Sequence, residues 1–183
     1  HYNVNIYTNM LIGFKYIGEL ILSKEKTDEI FVIGGEESYG LLKGDYARDK
    51  DGAGGALPMA EYAAELKDEG LTLVDRLFDL YYQHGLYVER LESAYFLGAS
   101  GFETMQSVMS ELRSTPPTML GEHVISAVID YQSLTRRDLA SGNESPVDCA
   151  KGNVIVLELN GDYRCRVTIR PSGTEPKLKF YVQ

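Results

Sequence analysis

The residues best suited to chemistry lie in the segment RPSGTEPKLKFY at positions 170–181. Residues 163–183 carry five basic side chains and one acid, although the net charge of the whole chain is −9. A guanidinium can bind phosphate oxygens bidentately, and the amides of a turn can form an anion-binding nest. A stiff loop whose basic side chains are merely solvated is the alternative. Such a loop can turn the Arg170 guanidinium, the Ser172 and Thr174 hydroxyls and backbone N–H groups toward one point, which makes them candidate phosphate ligands.

A second polar group occupies GGEESYG at positions 34–40, where glycines flank two carboxylates and a hydroxyl. In an extended segment Glu36 and Ser38 point to one side, and Glu37 points to the other. A carboxylate and a hydroxyl on one side could hold adjacent hydroxyls of a sugar. Glycoside hydrolysis is a weaker interpretation, because adjacent glutamates diverge and no acid/base partner is evident. An exposed acidic turn after a strand is the remaining alternative.

A third polar cluster is RDKDG at 48–52. Asp51 is expected to cap a helix that begins near Gly52. Capping does not explain Arg48 and Lys50, whose charges oppose the helix dipole, so both are further candidate substrate-binding residues. The three histidines are far apart and no DxDxD or HExxH spacing occurs, so the sequence predicts no metal site. It also contains neither a nucleophile elbow nor a Walker loop.

Composition limits the classes of function that remain. A length of 183 residues suffices for one large domain or two small ones. The acidic balance argues against nucleic acid or an anionic membrane as a partner. The chain has two cysteines, Cys149 and Cys165, in no CxxC arrangement, which indicates reduced thiols in the cytoplasm, with a disulfide between them as the alternative. No apolar run approaches the length of a membrane span, and no signal peptide is evident.

Hydrophobic spacing predicts an α/β region followed by an α+β region. Helices are expected at 10–22, from Gly52 to Gly70, after Thr72, and from Ser100 to about Arg113. Thr72 with Asp75 and Ser100 with Glu103 are expected to form capping boxes. FVIGG at 31–35 is expected to be a buried strand. Four further strands are expected at 123–132, 153–160, 163–170 and 177–183, separated by a polar loop at 133–152 and an Asn160-Gly161-Asp162 hairpin turn. We therefore expect two domains, 1–87 and 88–183, the second with a four-stranded antiparallel sheet flanked by helix.

Three motifs in this order resemble the α-D-phosphohexomutase superfamily, especially its phosphoglucomutase and phosphomannomutase members. They are GFKYIG at 13–18, GEESYG at 35–40 followed by RDKDG, and RPSGTEPKLKFY. The resemblance implies that 1–87 is the C-terminal part of the third domain and that 88–183 is the fourth domain. By this resemblance Glu36 and Ser38 hold sugar hydroxyls, and Lys15 faces the substrate. Arg170, Ser172, Gly173 and Thr174 cradle phosphate, with Lys177 as a further candidate.

The resemblance also implies a reaction. Members of the superfamily interconvert hexose 1-phosphate and 6-phosphate through a bisphosphate, here glucose 1,6-bisphosphate, with an active-site phosphoserine and Mg²⁺. The serine loop and the DxDxD loop belong to the first two domains of the family, and neither motif occurs here. Ile12 stands where the family commonly has threonine. Pentose or mannose phosphate is an alternative substrate, and a non-catalytic phosphosugar-binding module is an alternative function.

We therefore expect the C-terminal part of a cytoplasmic intramolecular phosphotransferase that is inactive by itself. Its expected partners are a phosphosugar and the missing N-terminal domains of the same polypeptide, without nucleic acid or membrane.

Overall fold

The computed structural model describes residues 4–8, 10–173 and 175–183. The chain divides into two compact units, of which the first ends at Leu86 and the second begins at Tyr87. Within the described residues, no helix is both long enough and apolar enough to cross a membrane. No disulfide joins Cys149 and Cys165.

In its described residues, the first unit combines three helices with a short antiparallel hairpin. Its elements are α1 (Phe14–Lys24), β1 (Ile33–Gly35), β2 (Leu41–Lys43), α2 (Gly52–Asp68) and α3 (Leu73–His84). The helical spacing of Phe14, Ile17 and Ile21 places these side chains on one face of α1, where they pack with Leu42 of β2. A strand forms at Ile33–Gly35, within the predicted range 31–35, but the expected burial is wrong, because Ile33 is 56% exposed. Leu42 of β2 is buried instead, and Phe31, which precedes β1, packs partly buried against the same cluster.

As far as the structure describes it, the second unit is an antiparallel sheet with one long helix. Its elements are β3 (Arg90–Tyr95), α4 (Gly101–Ser114), β4 (Met119–Leu120), β5 (His123–Asp130), β6 (Thr135–Asp138), β7 (Glu144–Pro146), β8 (Ile155–Leu159), β9 (Asp162–Pro171) and β10 (Lys177–Val182). The strand order is β3-β10-β9-β8-β5-β6-β7, and β4 pairs with β5. The predicted succession of an α/β region and an α+β region is confirmed.

The four strands predicted for this unit are neighbours in the sheet, but the predicted number of strands is wrong. In the described part of the chain the sheet has eight strands. Strands β6 and β7 form within the segment expected to be a polar loop, and β3 lies at the opposite edge. These added strands are short or exposed, so they lack the alternation of buried and polar residues that identifies a strand in a sequence.

Two of the three predicted helix caps are confirmed. The Asp51 side chain accepts hydrogen bonds from the N–H groups of Ala53 and Gly54, and Thr72 forms a capping box with Asp75. The capping box expected at Ser100 is wrong, since its side chain makes no capping hydrogen bond. Ser100 has φ −89° and ψ 5°, whereas a side-chain cap requires an extended backbone.

Helix α4 packs on one face of the sheet and is held at both ends. Met105 and Met109 contact a core that includes Ile169 of β9 and Leu178 of β10. At its C-terminal end Arg113 Nε lies 3.1 Å from Asp130 Oδ1. At its N-terminal end Gly101 lies against the Phe96 carbonyl and Pro176. The helix therefore supports the segment that joins β9 to β10.

We predict that Gly101→Ala destabilises the second unit. The new Cβ would overlap the Phe96 carbonyl oxygen and lie 3.1 Å from Pro176 Cβ. Overpacking of this kind costs about 1–3 kcal/mol, which thermal unfolding followed by circular dichroism can measure. Gly52→Ala is the matched control, because Gly52 is likewise the first residue of its helix and a Cβ there meets nothing within 4 Å. Equal melting temperatures of the two variants would contradict this packing of Gly101.

Candidate functional site

The pairing of β9 with β10 gathers the basic residues of the RPSGTEPK segment on one face of the sheet. Arg170 lies directly opposite Lys179, and the Ser172 N–H donates to the Lys177 carbonyl over 2.9 Å. Ile169 and Leu178 alternate with these residues and face α4. The structure therefore brings Arg170, Ser172 and Lys177 together on the face away from the helix, and adds Lys179, which the sequence analysis did not select.

The positive charge on this face is only partly compensated. Like charges directly opposite each other on paired strands are destabilising. Among the described residues, neither Arg170 nor Lys179 has an ion-pair partner. An anion held between the two side chains would remove the repulsion and satisfy guanidinium donors.

Lys177 differs from these two cations because it has its own carboxylate. Its Nζ lies 2.5 Å from Glu175 Oε2 and 5.4 Å from the centroid of the Tyr95 ring. The side chain of Lys177 is only 14% exposed. The hydrogen bond that Lys177 donates to Glu175 raises the pKa of Lys177, so the ammonium stays charged at neutral pH.

The backbone of this loop is held by hydrogen bonds on both sides of its tip. The Glu175 N–H donates to Ser172 Oγ over 3.3 Å, and the Lys177 N–H donates to the Glu175 carbonyl over 2.8 Å. The Phe96 N–H donates to the Pro176 carbonyl. Gly173 is exposed and its φ lies outside the left-handed range, so the glycine is not needed for that conformation. The predicted phosphate ligand Thr174 lies outside the described residues.

The GGEESYG segment forms a tight turn between β1 and β2. The Glu36 N–H donates to the Gly40 carbonyl over 2.9 Å, and Tyr39 has φ 66°. The expected extended alternation of Glu36, Glu37 and Ser38 is therefore wrong. Ser38 Oγ instead donates to Glu37 Oε1 over 3.0 Å, and Glu36 points to another segment.

The Glu36 carboxylate pairs with Lys50 from the RDKDG cluster. Its Oε1 lies 3.5 Å from Lys50 Nζ, and its side chain is only 10% exposed. Lys50 Nζ also lies 5.7 Å from the centroid of the Phe14 ring. The negative charge of Glu36 raises the pKa of Lys50. A Cβ at Gly40 would overlap Glu36 Oε1 and lie 2.6 Å from Lys50 Cδ, so a glycine is needed at this position.

The two loops thus share one arrangement, in which a lysine lies between a glutamate and an aromatic ring. Lys50 has Glu36 and Phe14, and Lys177 has Glu175 and Tyr95. Sequence reasoning missed both rings. Phe14 is part of the GFKYIG motif and could have been selected on that basis. Tyr95 reaches Lys177 only through the pairing of β3 with β10, for which the sequence carries no local signal.

The two remaining basic candidates lie in different surroundings. Arg48 forms an ion pair with Glu25 and donates to the Asp45 carbonyl over 2.8 Å. Lys15 is exposed in the first turn of α1, with its Nζ 4.9 Å from the centroid of the Tyr16 ring. The structure therefore brings Lys50, but not Arg48, to Glu36.

The end of the RDKDG cluster is anchored by Asp51. Tyr46 donates its hydroxyl hydrogen to Asp51 Oδ2 over 2.5 Å. This bond, together with the N–H groups of Gly54 and Ala53, lowers the pKa of Asp51. Throughout the described residues, no group of three or more His, Cys, Asp or Glu side chains is placed to hold a metal ion.

Comparison with known proteins gives related results for both units. Residues 2–81 match the family model of phosphoglucomutase/phosphomannomutase, alpha/beta/alpha domain III. The phosphoglucomutase of Staphylococcus epidermidis is 38% identical over 184 aligned residues, covering 100% of this chain and 32% of that protein. The Staphylococcus haemolyticus phosphoglucomutase is 36% identical over 173 residues, covering 94% and 31% respectively. The Staphylococcus aureus protein is 34% identical over 181 residues, covering 99% and 32%. The chain spans about a third of the length of these relatives.

We predict that Asp51→Ala lowers the melting temperature at about pH 7, and that the deficit shrinks toward about pH 3. The pKa of Asp51 is lower in the folded chain than its usual value of 3.8. Its stabilising effect is therefore present above that value and is lost as the pH falls through the folded pKa. Asp51→Asn is the control, because asparagine caps a helix about as well as aspartate. A deficit of constant size across this pH range would contradict the assigned role of the ionised carboxylate.

Proposed function

Because the chain belongs to the phosphoglucomutase/phosphomannomutase family, we propose that it is a substrate-binding part of a phosphohexomutase. The reaction is the interconversion of hexose 1-phosphate and hexose 6-phosphate, with glucose phosphate as the substrate. The observation that carries the proposal is the cation pair Arg170–Lys179, which has no carboxylate partner among the described residues. Mannose phosphate is the second candidate substrate, since the matching family model covers phosphomannomutases as well.

In this proposal the loop of the second unit binds the phosphate that is not being transferred. Arg170 donates two hydrogen bonds to phosphate oxygens, and Lys177 and Lys179 add positive charge. Each charge-assisted hydrogen bond contributes about 1.5–3 kcal/mol. Binding energy from this remote phosphate orients the rest of the substrate for reaction.

The loop of the first unit binds the sugar. Glu36 accepts hydrogen bonds from sugar hydroxyls, with Ser38 as a second contact. Lys50 Nζ, 3.5 Å from Glu36 Oε1, holds the Glu36 carboxylate in place as an acceptor. The low exposure of the Glu36 side chain limits the competition from water for those hydrogen bonds.

Phosphoryl transfer itself is assigned to other parts of the same polypeptide. The described residues include no group that fits Mg²⁺, so we assign no step of this chain to the metal. The proposed reaction passes through glucose 1,6-bisphosphate. The phosphoserine and the Mg²⁺ that it uses belong to the rest of a cytoplasmic enzyme. By itself, this part binds phosphosugar without turnover.

We predict that Arg170→Ala weakens the binding of glucose 1,6-bisphosphate by about tenfold or more, as expected for the loss of one charge-assisted contact. Calorimetric titration measures the change. Arg164→Ala is the matched control, because Arg164 lies on the same strand but pairs with Asp162 at the hairpin. Equal losses in both variants would indicate an effect of net charge alone. Absence of binding by the unaltered chain would contradict the assigned cradle.

We predict that Glu36→Ala weakens the binding of glucose 6-phosphate several-fold and leaves the binding of inorganic phosphate unchanged. The reason is that, of the groups of the ligand, Glu36 contacts only the sugar hydroxyls. The same titration, run with both ligands, separates the two effects. Glu19→Ala, an exposed change on α1, controls for the loss of one negative charge. Equal losses for both ligands would exclude the assigned role in sugar binding.

A further inference from the structure

We propose that the Glu175 carboxylate is an intramolecular competitor for the phosphate that binds Lys177. The carboxylate forms an ion pair with the Lys177 ammonium when phosphate leaves the loop, and phosphate displaces it on returning. This inference rests on the proposed function, since it concerns the same loop. It assigns to Glu175 the control of how tightly, and for how long, the loop holds its ligand.

Glu175 contacts Lys177 directly. Glu175 is the single acid among residues 163–183, and its Oε2 lies 2.5 Å from Lys177 Nζ. The stem of Lys177 is largely covered, and its ammonium lies beside the Tyr95 ring. Few directions remain from which an anion can reach this ammonium, and the carboxylate occupies one of them. A phosphate oxygen that binds Lys177 therefore shares it with Glu175 or replaces Glu175.

The Glu175 side chain can move without disturbing the loop. Its side chain is 53% exposed. Its backbone is held independently, by the hydrogen bond from its N–H to Ser172 Oγ and by the one that its carbonyl accepts from Lys177. Rotation of the side chain into water breaks neither bond. Exchange of the carboxylate for a phosphate oxygen is thus a local, low-cost event.

Arg170, Lys177 and Lys179 are the described cations nearest this loop, and they differ in their partners. Arg170 and Lys179 repel each other across the ladder and have no acidic partner among the described residues. Glu175 is paired with Lys177 rather than with either of them. The carboxylate thus lowers the affinity of one contact and leaves the other two cations available to attract an anion. Such an arrangement favours capture of phosphate together with rapid release.

The test compares inorganic phosphate binding by the unaltered chain, Glu175→Gln and Glu122→Gln. Glu175→Gln should bind phosphate about two- to fivefold more tightly, the range expected for a pair of this exposure. Most of the gain should lie in a slower dissociation rate. Glu122→Gln removes the same charge from an exposed position in the turn between β4 and β5, and should leave affinity unchanged. Equal gains in the two variants would overturn the proposal, because the effect would then be one of net charge.

Acetate provides a second readout that a purely structural role of Glu175 would not alter. It carries the functional group that Glu175→Gln removes, so added acetate should weaken phosphate binding more in that variant than in the unaltered chain. Suppose that the unaltered chain binds phosphate and Arg170→Ala does not. If Glu175→Gln then binds phosphate no more tightly than the unaltered chain, this inference is overturned and the proposed function stands. Failure of both the unaltered chain and Glu175→Gln to bind phosphate would overturn both.

Discussion

The register of β9 against β10 is the constraint on which the proposed phosphate-binding loop depends. Ile169 and Leu178 are buried against α4, and the alternation of a strand then forces Arg170 and Lys179 onto the opposite face. A shift of one residue would exchange these two sets and bury two charges in the core. The apolar packing of one face thus holds two cations side by side on the other. Their mutual repulsion is small compared with the cost of burying them.

The second recurring feature is the lysine held between a carboxylate and an aromatic ring. In each loop the lysine ammonium lies within 6 Å of a ring centroid, at 5.7 Å for Lys50 and 5.4 Å for Lys177, and a glutamate carboxylate pairs with it. The consequence differs between the loops because the exposures of the glutamates differ. Glu36 is nearly enclosed and remains in place, whereas Glu175 is half exposed and can be displaced. In our proposals, therefore, the same residue types provide a fixed acceptor in one unit and an exchangeable counter-ion in the other.

The sequence predicted those parts of the structure that depend on local patterns. The Asp51 and Thr72 caps, the Asn160-Gly161 turn and the central strands of the second unit depend on residues close together in the chain. Long-range partners were missed. Nothing near Arg48 indicates its ion pair with Glu25, and nothing near Lys177 indicates Tyr95. The extended geometry assumed for Glu36 and Ser38 failed because the chain reverses direction between them and Leu41.

Amide chemical-shift mapping of the chain tests the central claim, the division of binding between the two loops. Inorganic phosphate should shift amides at 170–177 and leave those at 35–40 unchanged. Glucose 1,6-bisphosphate should shift amides in both segments. Inorganic phosphate that leaves 170–177 unchanged, or shifts amides around basic residues elsewhere in the chain, would contradict the assignment of phosphate to the β9–β10 loop.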